Sequence, residues 1–507
     1  MNTRITFGLN NVSNHACDAV VRFVRRKELE ASNAAVWAHP QVDDALRSYY
    51  AKSIFKALPG DTQIIPTLGL AGASHAIFTG LEESPLSADQ LRDAGAAAAK
   101  AVERLRAEDV EIKIPEDIVT GAAGCDARQA AQAITEGFLL ALHRRLPHRR
   151  DTEHRHEVQA VSIIPEKDDL PDIVQIGEAW MAGIQRGIRF AQAVGYARDL
   201  KNRPGNSLTP EGLAEEAERL ANRLDLECEV IDEWSAAEQG MGGLLSVGQG
   251  SANPPRMIIL QYRGAPEQEE VWGLIGKGIT FDTGGISLKK SEGMEKMISD
   301  MGGAAAVLGA MQLIGTLRPS VNVVAVIAAA ENMPSDRAYK PGDVITTLSG
   351  RTIEIVNTDA EGRVVLADGL TVAIQRGATK LVDVATLTGA VSIALGDYMT
   401  AAVSNDEKLQ HQVIQAGRQA GERIWPMPAD TYYRHQLQSD AADLKNSGGR
   451  LAGVITGGLF IGTFAEEKPW VHLDISGTAW LFKDRGCEPK GATGVMVRTL
   501  AELLLEG

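Results

Sequence analysis

The sequence predicts an α/β protein of two domains, a smaller N-terminal α/β domain and a C-terminal doubly wound α/β domain with a central, mostly parallel sheet. A chain of 507 residues is too long for one ordinary hydrophobic core. Strand-like and helix-like segments alternate along it. Continuously apolar segments such as 321–330 are typical of strands covered on both faces. We expect the N-terminal domain at residues 1–170, a linker helix at 171–200 and the C-terminal domain at 201–507.

The N-terminal domain is predicted to alternate short strands with amphipathic helices. Strands are expected at Thr62–Leu70, Val110–Ile114 and Val158–Ile164. Helices are expected at Ser87–Leu105, which Ser87 caps, and at Asp126–Leu142. No residue pattern in this domain indicates chemistry.

A long helix at about Asp172–Leu200 is expected to lead into the C-terminal domain and to end before Pro204. Thr209 then caps another helix, with Pro210 in its first turn. Lys277 follows the strand-like segment V-W-G-L-I-G. Ligands of doubly wound sheets bind beyond the carboxyl ends of the strands, so Lys277 falls where a site is expected.

The composition, 44% hydrophobic and 23% charged, is that of a soluble globular protein. The net charge of −15 argues against nucleic acid as a partner, because neutralising phosphates needs clustered Lys and Arg. The four cysteines show no C-x-x-C spacing, which indicates neither a thiolate metal site nor a disulfide framework. The N-terminus lacks the apolar core of a signal peptide, and the longest apolar run, Val323–Ala330, is too short to span a bilayer. A cytoplasmic protein with no membrane partner is expected.

The segment His143–Glu157 is rich in histidine and arginine. Its His156–Glu157 pair is not continued to the H-E-x-x-H spacing of a zinc helix. A solvated basic loop is therefore expected there rather than a metal site.

The residues that indicate chemistry are concentrated in two stretches, Lys277–Asp300 and Asn357–Arg363. Together the stretches contain acids and cations at close spacing: Asp282, Asp300, Asp359, Glu361, Lys277, Lys289 and Arg363. Asp359, Glu361 and Arg363 occupy every other position, and on an extended backbone their side chains would point the same way. Burying such a face is costly unless divalent cations neutralise it, and carboxylate oxygens suit Mg²⁺, Mn²⁺ and Zn²⁺. A solvated acidic loop is the alternative.

Charge counting favours a pair of metal ions over a single one. Four ionised carboxylates carry four negative charges, which two divalent cations would neutralise. Lys289 and Arg363 would then face a substrate that gains negative charge during reaction. This arrangement is expected for metal-assisted hydrolysis.

Three other motifs fail on spacing. G-L-I-G-K-G resembles a phosphate loop, but Lys277 is followed by Gly278 instead of Ser or Thr. G-K-G-I-T-F ends in Phe281 where a dinucleotide-binding loop needs glycine. Ser287 is followed two residues later by Lys289, so it does not form a nucleophile elbow.

The two stretches resemble the signatures of the leucyl aminopeptidase family, the dinuclear zinc or manganese exopeptidases. N-T-D-A-E-G-R at Asn357–Arg363 is a highly specific string. The resemblance continues through most of the second two-thirds of the chain, at Ala197–Asn206, Met241–Ser251, Glu331–Pro334, Ala385–Ala390, Ala442–Asn446 and His472–Gly477. The first 165 residues match the family only loosely.

By this resemblance five residues would hold two divalent metal ions, Mn²⁺ or Zn²⁺: Lys277, Asp282, Asp300, Asp359 and Glu361. Asp282 and Glu361 would each contact both ions. Lys277 could donate only as a neutral amine, and two nearby dications would lower its pKa. From the residues alone, Lys277 could instead form an ion pair with Asp282, and Asp300 could serve only to cap a helix N-terminus.

The resemblance also assigns Lys289 and Arg363 as catalytic groups that do not bind metal. Lys289 would stabilise the oxyanion of the tetrahedral intermediate, and Arg363 would hold a bicarbonate that acts as general base. The implied substrate-binding residues are Met297, Asn357, Thr386, Leu387, Gly389 and Ala479. Taken alone, Met297 would be expected in the core. Ser476 stands where many relatives carry Ala.

The expected function is a metal-dependent aminopeptidase that hydrolyses N-terminal, preferentially leucine-like residues from peptides with water activated by two metals. The resemblance implies a homohexamer, with an assembly or regulatory role for the N-terminal domain. A DNA-binding or regulatory relative of the family is the alternative from another class, and a dinuclear phosphoesterase is a third. Peptides are the expected partners, and nucleic acid is not expected.

Overall fold

The computed structural model describes residues 3–8, 17–31, 37–145, 148, 150, 157–167, 170 and 172–505. The predicted basic loop at His143–Glu157 lies mostly outside these residues. The chain divides into two compact units, one of Met1–Gln192 with Lys483–Pro489 and one of Ala193–Phe482 with Lys490–Gly507. The division falls inside a long helix, and the domain boundaries expected at residues 170 and 200 stay predictions.

The described residues of the first unit form six strands and the helices that alternate with them. Its strands are β1 (Arg4–Phe7), β2 (Ala19–Arg25), β3 (Thr62–Pro66), β4 (His75–Leu81), β5 (Asp109–Ile114) and β6 (Ala160–Pro165). Its helices are α1 (Arg26–Glu30), α2 (Pro40–Ala51), α3 (Ala88–Leu105), α4 (Glu116–Val119) and α5 (Ala127–Leu142), and α6 (Ile173–Lys201) begins in it.

The sheet of the first unit has the order β1-β6-β5-β2-β4-β3. All its strand pairs are parallel except β3 with β4. Ser87 caps α3 by accepting a hydrogen bond from the Gln90 N–H, and Asp126 caps α5 in the same way through Gln129. The predicted helices are confirmed to within a residue. The strand expected at Thr62–Leu70 ends early, at Pro66, where the chain turns through Leu68 at φ 53°.

The second unit contains thirteen strands and the remaining helices. Its strands are β7 (Glu227–Ile231), β8 (Arg256–Arg263), β9 (Val271–Asp282), β10 (Asn322–Asn332), β11 (Val344–Thr346), β12 (Thr352–Glu354), β13 (Lys380–Ala385), β14 (Thr400–Ser404), β15 (Ile424–Pro426), β16 (Leu444–Lys445), β17 (Trp470–Asp474), β18 (Trp480–Leu481) and β19 (Gly491–Ala492). Its helices are α7 (Pro210–Leu224), α8 (Glu233–Gln239), α9 (Gly242–Gly248), α10 (Gly302–Leu317), α11 (Glu361–Gln375), α12 (Gly389–Leu395), α13 (Glu407–Ala420), α14 (Gly453–Gly462) and α15 (Val497–Leu505), with 3₁₀ turns at Met294–Ser299 and Thr431–Leu437.

An eight-stranded sheet in the order β15-β14-β17-β13-β9-β10-β8-β7 forms the centre of the second unit. Its four middle strands, β17, β13, β9 and β10, are parallel, while β8, β7 and β14 add antiparallel pairs. Every residue of β10 is buried. Helix α10 packs with α7 and α15, and α11 packs with α9 and α14. Helices therefore cover both faces, and the predicted mostly parallel central sheet is confirmed.

The connections from β9 and β13 leave these neighbouring strands in opposite directions. From β9 the chain passes through α10 to β10, whereas from β13 it passes through α12 to β14 on the other side. A crevice opens beyond the carboxyl ends of two parallel strands at such a reversal. The fold therefore presents a ligand site at the ends of β9 and β13.

One stretch of the second unit, Met294–Leu317, is long and apolar enough to cross a membrane by composition. In the folded unit 83% of its apolar window is buried. Helix α10, which makes up most of this stretch, packs against β9 and β13. These contacts are those of a core helix.

Candidate active site

The two acidic stretches of the sequence meet at the crevice beside β9 and β13. Lys277 lies within β9 and Asp282 is the last residue of that strand. Asp300 ends the 3₁₀ turn before α10, and Glu361 is the first residue of α11. Strand ends and helix starts, which are rigid elements, thus supply most of the charged side chains.

Lys277 joins two of the acids into what we call the inner half of the site, Lys277, Asp300 and Glu361. Its Nζ lies 2.7 Å from Asp300 Oδ2 and 2.8 Å from Glu361 Oε1. It also donates to the carbonyl of Thr386, at 2.8 Å. The Thr386 hydroxyl in turn donates to Asp300 Oδ1, at 2.8 Å. Lys277 thus pairs with Asp300 and Glu361, and not with Asp282 as one alternative had it.

Lys289 joins the other two acids into the outer half, Asp282, Asp359 and Lys289. Its Nζ lies 2.6 Å from Asp282 Oδ2 and pairs with Asp359 Oδ1. The second oxygen of Asp282 accepts hydrogen bonds from the Gly284 N–H and from Asn332 Nδ2, each at 2.8 Å. Asp282 is therefore fixed from both sides.

The expectation of an extended backbone through Asp359, Glu361 and Arg363 is wrong. Asn357–Ala360 forms a turn in which the Asn357 side chain accepts from the Asp359 N–H at 3.0 Å, and Glu361 then begins α11. Turn residues such as Asn close on their own backbone in this way. Asp359 and Glu361 nevertheless converge with Asp282, since ligand atoms of all three lie within 4.8 Å of one another.

Hydrogen bonds tie the turn before α11 to the loop after β9. The Thr358 hydroxyl donates to the Gly284 carbonyl at 2.6 Å and accepts from the Ser287 N–H at 2.8 Å. The Ser287 hydroxyl accepts from the Thr358 N–H at 3.1 Å. Asn332 Nδ2, at the end of β10, also donates to the Thr358 carbonyl, at 3.0 Å. The two motifs are therefore held in one register.

Two glycines of the motifs are required by close approach. Gly284 has φ 87°, and a Cβ there would lie 2.5 Å from the Ser287 carbonyl oxygen and 2.8 Å from Asp359 Oδ1. A Cβ at Gly362 would lie 2.6 Å from Lys277 Cε. Any larger residue at Gly362 would displace the lysine from its two carboxylates.

The electrostatics of the site are dominated by burial and by the crowding of acids. Burial, followed by repulsion from Glu361, raises the pKa of Asp282 to about 6. Burial raises the pKa of Asp300 to about 8, although Lys277 lowers it. Burial alone would lower the pKa of Lys277, but Asp300 and Glu361 outweigh it and hold that pKa above its ordinary value.

The donor set fits divalent cations. With all four carboxylates ionised, as metal ligands must be, the two lysines balance only two of the four negative charges. Glu361 Oε2 is buried with no hydrogen-bond donor, and an unsatisfied buried carboxylate oxygen is costly unless a cation neutralises it. Oxygen donors from Asp and Glu are suitable ligands for such ions.

Arg363 projects from the first turn of α11 and lies 7% exposed at the same crevice. Its Nη1 donates to the Asn446 carbonyl at 3.0 Å, whereas Nε has no hydrogen-bond partner. Burial lowers the pKa of Arg363, while Glu361 and Asp474 raise it. An arginine is still a cation at neutral pH. Arg363 Nε is therefore a buried donor without a partner beside the cavity.

The crevice encloses a cavity of 590 Å³. Its wall contains both lysines, the four acids and Arg363, together with the predicted substrate-binding residues Met297, Asn357, Thr386, Leu387 and Gly389. Ala479 is the exception. It is 2% exposed, is not among the lining residues, and its carbonyl accepts from Lys201 Nζ at 2.9 Å. Ser476 does line the cavity.

Comparison with known families agrees with this geometry. Residues 195–501 match the model of the cytosol aminopeptidase family catalytic domain, and residues 20–150 match that of its N-terminal domain. The chain belongs to the cytosol aminopeptidase family. The resemblance seen in the motifs is thereby confirmed, and the chain is a metal-dependent aminopeptidase.

Relatives of the family match along most of the chain. The probable cytosol aminopeptidase of Alkaliphilus metalliredigens (strain QYMF) is 46% identical over 452 residues, which cover 89% of this chain and 88% of the relative. That of Bacillus subtilis (strain 168) is 44% identical over 470 residues, with coverage of 91% and 92%. The N-terminal unit, which the motifs matched only loosely, thus belongs to the family as well.

Two solved structures share the fold of this chain. A mutant of tomato leucine aminopeptidase superposes with a TM-score of 0.86 at 30% identity, covering all of this chain and 97% of the other. The bottromycin maturation enzyme BotP in complex with Mn superposes with a TM-score of 0.82 at 34% identity, covering 97% and 99%. The manganese of that relative agrees with the divalent-cation character of the site here.

Several residues that shape the site were not singled out from the sequence. Asn332 holds Asp282. Asn446 holds the Asn357 turn, and Asp474 holds the loop after β13. All three occur in strings that carried the family resemblance. The sequence motifs include these three residues, but only the folded structure shows which groups their side chains hold. The alternative that Asp300 only caps a helix is not supported, because Met301 is the N-cap of α10 and makes no side-chain capping bond.

Proposed function

We propose that this aminopeptidase removes hydrophobic, leucine-like first residues from peptides with two divalent ions, Mn²⁺ or Zn²⁺, in the cluster of four acids. The proposal rests on the arrangement of four acids, Asp282, Asp300, Asp359 and Glu361. When all four are ionised, Lys277 and Lys289 balance only half of their negative charge. Membership of a metallopeptidase family and the manganese of BotP support it.

The acids Asp282, Asp300, Asp359 and Glu361 would hold the ions, with Lys277 as a further ligand in its neutral form. Bound divalent ions would supply Lewis-acid chemistry, polarising the scissile carbonyl and lowering the pKa of water. The protein's part is to keep the acids converged without metal. The hydrogen bonds that fix Asp282 and the Asn357 turn do this.

Lys289 would stabilise negative charge that develops on the scissile carbonyl oxygen. Its ammonium lines the cavity and contacts Asp282 and Asp359. Burial opposes the charged form, but Asp282 and Glu361 outweigh it and raise the pKa of Lys289, which favours the ammonium. With cations on those carboxylates, the ammonium would be free to donate to the substrate.

Arg363 would hold a bicarbonate, which would serve as general base toward water. The guanidinium is already anchored through Nη1 to the Asn446 carbonyl, which leaves the Nε edge for a planar anion. No described histidine lines the cavity, which supports a borrowed base.

The first side chain of the substrate would lie against Met297, Leu387 and Gly389, which line the cavity. Ala479 is buried and does not line the cavity, so its contact with substrate stays a prediction. The free amino group of the substrate must be neutral to offer its lone pair, so we expect an alkaline optimum.

The proposal is tested by measuring the metal content of the purified chain together with hydrolysis of leucine amide and of acetyl-leucine amide. We expect two divalent ions per chain and cleavage of leucine amide alone, because acetylation removes the amine's basicity. Comparable rates on the two amides would overturn the aminopeptidase specificity. Full turnover in a demonstrably metal-free preparation would overturn the role of the acids.

We also propose a cytoplasmic homohexamer, with an assembly or regulatory role for the first unit. Support comes from the family resemblance alone. Folded proteins could not enter the enclosed interior of such an assembly, which suits an exopeptidase in the cytoplasm. A fully active monomer in light scattering would contradict it.

A further inference from the structure

The loop that follows β13 forms one whole side of the cavity, and we call residues 386–393 the β13 wall. Its cavity-lining members are Thr386, Leu387, Thr388, Gly389, Ala390, Ser392 and Ile393. Toward the acids the wall is tied by Thr386, whose carbonyl accepts from Lys277 and whose hydroxyl donates to Asp300. What holds its other side is a buried carboxylate at the end of the neighbouring strand.

Asp474 is the last residue of β17 and lies in register with Ala385, the last residue of β13. It is completely buried. Its Oδ1 accepts from the Leu387 N–H at 3.2 Å and from the Thr388 N–H at 3.4 Å. Its Oδ2 accepts from the Thr388 hydroxyl at 2.6 Å. Three donors of the wall therefore converge on one carboxylate.

The contacts of Asp474 extend beyond the start of the wall. The Thr388 hydroxyl that donates to Asp474 also accepts from the Val391 N–H at 3.2 Å, and so caps α12. The Ser476 N–H donates to Asp474 Oδ1 at 3.2 Å, and Ser476 lines the cavity. Asp474 thus links the wall, the start of α12 and a neighbouring part of the lining.

The wall also packs close to Arg363. A Cβ at Gly457 in α14 would lie 3.1 Å from Leu387 Cδ2 and 3.2 Å from Arg363 Nη2. Leu387 and the Arg363 guanidinium therefore border the same glycine of α14, so the wall and a proposed catalytic group are neighbours there.

We propose that Asp474 is a positioning residue that fixes the β13 wall and thereby sets the fit of the first side chain of the substrate. The effect on substrate fit rests on the proposed function, whereas the claim that Asp474 fixes the wall does not. Carboxylates that accept several backbone N–H groups form strong, directional bonds. Asn at the same place can accept through only one of its two side-chain atoms, so part of the wall would be released.

The test compares Asp474→Asn with Asp368→Asn in the Mn²⁺-loaded full chain. Asp368 is a matched control, because it is equally buried and also accepts from two backbone N–H groups, but those groups belong to Leu244 and Leu348, which do not line the cavity. Amide hydrogen exchange is measured without substrate, and kcat and KM are measured for leucine amide and glycine amide. Thr388→Val removes the hydroxyl that donates to Asp474 Oδ2, and Thr388→Ser retains a hydroxyl there.

In Asp474→Asn we expect faster exchange at residues 387–391 and a fall of about 10²-fold in kcat/KM for leucine amide, as for an active-site displacement of about 1 Å. Glycine amide, which has no side chain to place against the wall, should lose less. Thr388→Val should act in the same direction and Thr388→Ser should resemble the wild type. Asp368→Asn should leave both the exchange at 387–391 and the substrate ratio unchanged.

Equal losses on the two amides, or exchange at 387–391 no faster than in Asp368→Asn, would overturn the positioning role. If Asp474→Asn does not fold, the Thr388 pair decides in the same way. Failure of the proposed function looks different, since the wild type would then cleave neither amide. The exchange measurement would in that case still show whether Asp474 holds the wall.

Discussion

The inner and outer halves of the site hold the same kinds of groups, a lysine and two acids, in different surroundings. In the inner half the side chains of Lys277, Asp300 and Glu361 are 3%, 10% and 2% exposed. In the outer half Lys289 and Asp359 are 22% and 34% exposed, while Asp282, at the end of β9, is 4% exposed. The inner groups project from β9, α11 and the turn before α10, whereas Lys289 and Asp359 project from loops.

This difference separates the groups that must be rigid from those that must reach substrate. A lysine enclosed by two acids and a backbone carbonyl, as Lys277 is, can act only on the cluster itself. Lys289 sits at the cavity with the more exposed Asp359 and can change partners when substrate arrives. On the proposed function, the same residue type would serve as a ligand in one half and as a catalytic cation in the other.

The largest expected effect comes from removing an acid of the inner half. Glu361→Ala should abolish hydrolysis of leucine amide and lower the metal content, because the buried Lys277 loses one partner and the site loses a carboxylate that faces both halves. Metal analysis and activity are measured on the same sample. Retention of two ions with unchanged turnover would show that Glu361 is not a ligand.

The comparison of the two halves is tested most directly by changing each lysine to methionine. Lys277→Met should lose metal and activity together. Lys289→Met should keep its metal and lose about 10²–10³-fold in kcat, the typical effect of removing one oxyanion donor. If Lys289→Met lost metal in proportion to activity, the assignment of the two lysines to different roles would be wrong.

Removing Arg363 should give a loss of comparable size to the loss of Lys289, with a distinct signature. Arg363→Ala should keep both ions and lower kcat by about 10²–10⁴-fold, the usual contribution of a general base. Added bicarbonate should stimulate the wild type at limiting bicarbonate but should not stimulate the variant. An equal response of both proteins would remove Arg363 from the binding of the base.

The contrast also explains what the sequence could and could not predict. N-T-D-A-E-G-R and the lysine–aspartate stretch identified the acids and lysines, because metal chemistry restricts residue types at fixed places. The extended geometry assumed for Asp359, Glu361 and Arg363 was wrong, since the side chain of Asn357 closes a turn and α11 begins at Glu361. The alternate spacing of charged residues in a sequence does not show where the backbone changes from a turn to a helix.

The supporting residues were beyond sequence reasoning for a different reason. Asn332 and Asp474 act on backbone groups that lie 26 and 86 positions away in the chain, at Thr358 and Thr388. Such pairings depend on which strands become neighbours in the sheet. The strand order was not predictable beyond the general rule for parallel sheets, whereas helix starts such as Ser87 and Thr209 were, because their partners are local.

The last prediction concerns Asp368, a buried carboxylate outside both halves. It tests whether burial alone raises the pKa of an acid, as burial and neighbouring acids do in the site. Burial raises the pKa of Asp368 to about 7, although the Leu348 and Leu244 N–H groups lower it. The folded pKa lies above the unfolded value of about 4. The folded state therefore binds this proton more tightly, and the associated stability is present below pH 4 and is lost as the pH rises to 7.

Asp368→Asn should accordingly reduce the fall in unfolding free energy between about pH 4 and pH 7, by at most about 4 kcal/mol for a shift of this size. The uncharged amide cannot ionise, so the contribution of this residue to the pH dependence disappears. Urea unfolding at several pH values, with wild type and variant side by side, measures the difference. Identical pH dependences would mean that the backbone donors overcome burial at Asp368 and keep the carboxylate ionised.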